Sequence, residues 1–172
     1  MGQYHVLVNI DKRQFVNPHG VGNGLKLHEQ ARSECGIPDA LHALLAVSNG
    51  RGGGDYADHD LIGSWGGDRI AIVGDYAEDA DIDGTDASRL YSLCFADPMD
   101  MCRSYEDNAL TALEQGSRIE YDRLMREADY WREATPYEDI TASVRDMMGA
   151  IHGVDYRPYT PGSAWQIGRA HV

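Results

Sequence analysis

The segment YHVLVNI, Tyr4–Ile10, places Val6, Val8 and Ile10 on one face and His5, Leu7 and Asn9 on the other, the period-two pattern of a β-strand. DKRQ follows as a turn into a short second strand at Phe15 and Val16. This closeness constrains the fold, because strands joined by a short turn pair antiparallel, whereas a parallel pair needs a long crossover. LIGSW (61–65) and RIAIVGDY (69–76) read as two further strands, joined by Gly66, Gly67 and Asp68 in a tight hairpin. Ile70 and Ile72 would face one way, Ala71 and Val73 the other.

The remainder has helical character. A short helix is expected over Leu25–Arg32. Pro38 opens a second, carrying Leu41, Leu44, Leu45 and Ser48 at helical spacing and ended by Gly50. DASRLYSLCF, YEDNALTALEQG and IEYDRLMREADYWREA are helical in composition. A last helix is expected from the capping box TPYE, with Pro136 after Thr135 and with Ile140, Val144, Met147 or Met148, and Ile151 on one face. The expected fold is α+β: a small, mostly antiparallel sheet of about four strands packed with helices, with a helical C-terminal half.

At 172 residues, 42% of them hydrophobic, the chain can bury one sizeable core. A single domain is therefore expected over residues 1–166, sheet-rich in 1–77 and helical in 86–153. QIGRAHV is the in-frame translation of CAG ATC GGA AGA GCA CAC GTC, which resembles a common sequencing-library adapter. Residues 167–172 are accordingly expected to be a non-native tail and are set aside from functional argument. No apolar run of about 18 residues and no basic-then-apolar leader is present, so a cytoplasmic protein without membrane contact is expected. Cys35, Cys94 and Cys102 lack metal-site and CxxC spacing and read as small buried hydrophobes.

A net charge of −13 argues against direct nucleic-acid binding, which needs clustered Lys and Arg. The charge is uneven. Residues 1–54 carry five basic side chains against four acidic ones, whereas residues 55–86 carry ten acidic ones against Arg69 alone. A small anion would find its counter-charges in the N-terminal third.

Two glycine-rich stretches lie there. In NPHGVGNGLKLHEQ, Gly20, Gly22, Asn23 and Gly24 let backbone amides approach an anion ahead of a helix, with Lys26 supplying charge and His19 within the loop. The spacing is neither GxxxxGK[ST] nor GxGxxG, so a simple strand-to-helix turn is an equal reading. In NGRGGGD, Gly52, Gly53 and Gly54 stand between Arg51 and Asp55, which suits a phosphate beside a guanidinium or a ribose diol on the aspartate. Lys12, Trp65, Asp68 and Arg69 complete the candidate ligand-binding set, the indole for stacking on a base, although a Trp at a strand end more often belongs to a core.

His19, His28 and His42 show no HxxxH or HExxH pairing, so no metal and no cofactor is implied. Acid–base chemistry by His19 with Asp55 or Asp68 is a further reading, for a nucleotide hydrolase or transferase, without a supporting spacing.

MGQYHVLVNIDKRQFVNPHGVGNGLKLHEQ and WGGDRIAIVGDYAED together resemble a family without assigned catalytic residues, found in bacteriophages and in actinobacterial and other mobile elements. The pattern covers roughly the first half of the chain, and it implies a setting of accessory phage genes, many of which counter host defence. Two readings follow. One is a protein that binds, and so sequesters, a nucleotide-like immune signal. The other is an acidic inhibitor whose carboxylates in 55–86 mimic phosphates to occupy a host defence protein. The aromatic-rich YDRLMREADYW could as readily pack a homo-oligomer as cover the sheet.

Overall fold

The structure, a computed structural model, describes residues 3–22, 24–31, 36–49 and 56–153. Strand β1 (His5–Asn9) pairs antiparallel with β2 (Gln14–Val16) in the register Leu7↔Val16, Val8↔Phe15 and Asn9↔Gln14. On its other edge β1 pairs antiparallel with β3 (Ile70–Gly74), from His5↔Gly74 to Asn9↔Ile70. The fourth strand is only Glu138–Asp139, β4, which runs parallel to β2. The order β3-β1-β2-β4 makes a mixed, mainly antiparallel sheet, and the fold is α+β as expected.

All five residues of β1 are buried, because the sheet is covered on both faces. Val6, Val8, Ile10, Phe15 and Val73 pack against helices α3 (Ala87–Phe95), α4 (Pro98–Glu114) and α5 (Arg118–Glu133) through Leu90, Leu93, Cys102, Ala128 and Trp131. Leu7 and Val16 face the other way, onto helix α2 (Ile37–Leu45), Trp65 and the last helix, α6 (Thr141–His152). The alternation read in YHVLVNI thus sorts its side chains into two cores. Ala71 and Val73 side with the first core and Ile70 with the second, as the alternation in β3 requires.

Three expectations are corrected. LIGSW is a run of turns and forms no hairpin with β3. Its backbone is engaged elsewhere: Gly63 N–H donates to Ala43 O and Trp65 N–H to Leu44 O, both at 2.9 Å, so the segment caps the end of α2. Helix α2 stops at Leu45, and Ser48 sits at φ 67° in the turn beyond it. Finally, α6 starts at Thr141. Asp139, in β4, accepts from the Thr141 backbone N–H at 2.9 Å and from its hydroxyl, and so caps the helix later than TPYE would.

Helices α4 and α5 form a hairpin closed at Gly116, φ 79°. Gly116 N–H donates to Leu113 O and Ser117 N–H to Ala112 O, a Schellman arrangement that a side chain at position 116 would strain. Among the described residues no helix is long and apolar enough to cross a membrane. Gly50, Cys35 and the tail 167–172 lie outside them.

Candidate ligand-binding cleft

The β1–β2 turn brings Lys12, Asp68 and Arg69 together. Asn9, which has no exposed surface, donates from Nδ2 to Asp68 Oδ2 at 2.8 Å and accepts the Lys12 backbone N–H at 2.9 Å. Lys12 Nζ lies 3.2 Å from Asp68 Oδ2 and donates to Ser64 O. Asp11 receives both the backbone N–H and Nε–H of Arg69, each at 2.7 Å. The Asn9 amide, and then Lys12, hold the Asp68 carboxyl below the ordinary aspartate range; the Arg69 backbone N–H, and then its side chain, do the same for Asp11. Two cations of the candidate set are therefore paired inside the protein. Trp65 is also no stacking platform: it is wholly buried, with Nε1–H donating to Gln14 Oε1 at 3.0 Å.

The glycines of the first loop have local work. Asn17 accepts the His19 N–H and caps a short 3₁₀ helix, Pro18–Val21, which ends at Gly22 with φ 87°. A Cβ on Gly20 would lie 2.2 Å from Thr141 Cγ2, so this glycine lets the 3₁₀ helix touch α6. Beyond Gly24 comes helix α1 (Leu27–Ala31). The Glu29 carboxylate sits over Gly24, 2.0 Å from where a Cβ would be, and accepts the Lys26 backbone N–H at 3.1 Å. An internal carboxylate thus stands where an anion would be cradled.

Lys26 does not join the Lys12, Asp68 and Arg69 cluster. His5 N–H donates to Leu25 O, so Lys26 lies near the start of β1 and Lys12 beyond its end. Five residues of strand, about 17 Å, separate them. Asn23, Arg51, Gly52, Gly53, Gly54 and Asp55 lie outside the described residues.

A cleft of about 610 Å³ opens instead beside the β1–β2 turn, on the face of the first core. Ile10, Leu90 and Leu93 line its apolar part; Arg13, Arg69, Asp11 and Asp86 bring charge, and Tyr130 and Tyr137 bring rings. It adjoins a second cleft of about 520 Å³, which shares Arg13, Leu93 and Tyr130 and adds Glu133 and Thr135.

Arg13 stands at the junction, held at φ 54° in the left-handed region, where a non-glycine residue carries strain of about 1 kcal/mol. Its carbonyl accepts the Glu138 N–H at 2.8 Å, its guanidinium donates to Thr135 O, and Cζ lies 4.5 Å from the centre of the Tyr137 ring. On α3, Arg89 lies 4.0 Å from the centre of the Tyr130 ring and pairs with Glu127 at 3.0 Å. Burial pushes the phenols of Tyr130 and Tyr137 up, so both stay protonated donors at neutral pH.

Sequence reasoning missed Arg13, Tyr130 and Tyr137, because only the return of the chain after α5 places them together. Among the described residues no Cys, Ser or His side chain lines either cleft, while Thr85 and Thr135 do. Burial pushes the Cys94 thiol up to about 12, and among the described residues no group of three or more His, Cys, Asp or Glu side chains could hold a metal ion. Comparison with protein families, curated proteins and solved structures gives no match to the chain.

Proposed function

We propose that this chain is a binding protein for a small nucleotide-like anion, which it holds in the cleft beside the β1–β2 turn. One observation carries the reading. Arg13, an exposed guanidinium without an ion-pair partner among the described residues, is fixed by a strained backbone beside two tyrosines and an apolar floor. The cleft volume falls in the range of small-molecule sites, about 300–1,000 Å³, and rings beside a guanidinium suit a base joined to a phosphate. In the phage-type setting that the sequence resembles, such a protein would sequester a host immune nucleotide signal.

The test is thermal shift against nucleotides, cyclic oligonucleotides and ADP-ribose derivatives. A ligand at about 100 times its dissociation constant adds about 2.7 kcal/mol. The shift should vanish in Arg13→Gly, which keeps the left-handed turn favourable and so should still fold. Silence across the panel, or a shift that survives the substitution, overturns the reading.

The acidic-inhibitor reading has its own support. Glu78, Asp79, Asp81 and Asp83 are exposed, and Asp79 and Asp81 are fixed in place by Ser88 and by the Glu78 backbone N–H. Salt-sensitive capture of a basic protein, lost on replacing Asp79, Asp81 and Asp83, would favour it over the cleft.

A further inference from the structure

Resting on the binding reading, we infer that the cleft selects a ribonucleoside carrying a single phosphate group and disfavours the di- and triphosphates. The charges that line it carry the argument. Arg69 is neutralised by Asp11 at 2.7 Å, leaving Arg13 as the cation open to a ligand among the described lining residues. Two carboxylates remain against it. Asp86 has its closest cation, Arg89, 3.9 Å away, and that guanidinium is committed to Glu127 through two hydrogen bonds of 3.0 and 3.1 Å. Glu133 lines the adjoining cleft with no ion-pair partner among the described residues.

One phosphate can therefore be matched by Arg13. Each further phosphate adds negative charge towards Asp86 or Glu133 with no second cation to receive it. The carboxylates are suited to the opposite kind of group, a hydroxyl donor: Asp86, which already faces the Tyr130 hydroxyl, can also take a ribose hydroxyl while Arg13 takes the phosphate. The apolar floor of Ile10, Leu90 and Leu93 and the rings of Tyr130 and Tyr137 leave the base its place.

Isothermal titration of the full chain with AMP, GMP, CMP and UMP tests this, followed by the diphosphate, triphosphate and 2′-deoxy monophosphate of whichever base binds. The monophosphate should bind most tightly, with affinity falling roughly tenfold for each added phosphate. Removal of the 2′-hydroxyl, or Asp86→Asn, should weaken it roughly fivefold or more. Arg13→Gly should abolish binding while leaving the thermal melt close to that of the parent. A triphosphate that binds as well as the monophosphate, through Arg13, overturns the selectivity and leaves the binding reading standing. Absence of binding by all four monophosphates, with a different anion binding at Arg13, overturns the ligand class alone. Absence of any ligand in the cleft overturns both.

Discussion

Asn9 has no exposed surface, and both ends of its amide are used: one holds Asp68, the other the backbone of Lys12. Asn9→Ala should cost about 1–3 kcal/mol in urea unfolding, because an acceptor and a donor lose their partners in a part-buried place. The same cluster sets a pH dependence. Asp68 and Asp11 titrate below the ordinary aspartate range in the folded protein, so the folded state binds fewer protons than the unfolded one. Their contribution is complete above the unfolded aspartate value, about 3.9, and is lost as pH falls through the folded value. The urea midpoint should therefore decline below about pH 4, and less steeply in Asp68→Asn; an unchanged slope in that variant would show that Asp68 is not a source of the effect. Lys12, Asp68 and Arg69 were legible in the sequence as separate candidate ligand-binding residues. That Lys12 pairs with Asp68 and Arg69 with Asp11 was not, because these pairs join residues 56 and 58 positions apart. Arg13 was hidden for another reason: in DKRQ it is one turn residue among four, and nothing in its identity signals a left-handed backbone.

Among the elements, β1 was readable because both its faces are buried, so every second position answers to one core. LIGSW has similar composition, yet its N–H groups meet the carbonyls at the end of α2, a tertiary choice that local pattern does not encode. Strand β4 has two exposed acidic residues and exists only because β2 offers a free edge beside it. The contact between the 3₁₀ helix and α6 allows a sharp test of what the first glycine loop is for. Gly20→Ala should destabilise the fold by about 1–3 kcal/mol, because its new methyl would meet Thr141 Cγ2 at 2.2 Å. Thr141→Ser removes that methyl and keeps the hydroxyl that Asn17 and Asp139 use, so the double variant should recover most of the loss in a double-mutant cycle. Without recovery, the constraint on Gly20 would lie elsewhere than in packing.

The whole molecule is tied through β1, which contributes to both cores, and through the return of residues 135–153, which add β4 and α6 to a sheet begun by the first strands. The sheet-rich and helical regions should therefore melt in one calorimetric transition with equal calorimetric and van't Hoff enthalpies; two transitions would show them to be separate units. The α4–α5 hairpin departs from this unity along its length. Near the sheet it is held by Cys102, Ala128 and Trp131. Its far half rests on a separate small cluster of Ala109, Ala112 and Leu124, while Leu110, Leu113 and Ile119 are exposed, Ile119 by 86%. Little apolar surface resists opening there. Amides of residues 106–122 should exchange roughly a hundredfold faster than those of β1, equivalent to about 2.7 kcal/mol less protection. Ile119→Glu should leave the melt unchanged, since a side chain so exposed contributes little to folding. Equal protection of the hairpin tip and β1, or a fall in stability with Ile119→Glu, would mean that the tip is covered in solution, and sedimentation would then identify a second copy of the chain as the cover or exclude it.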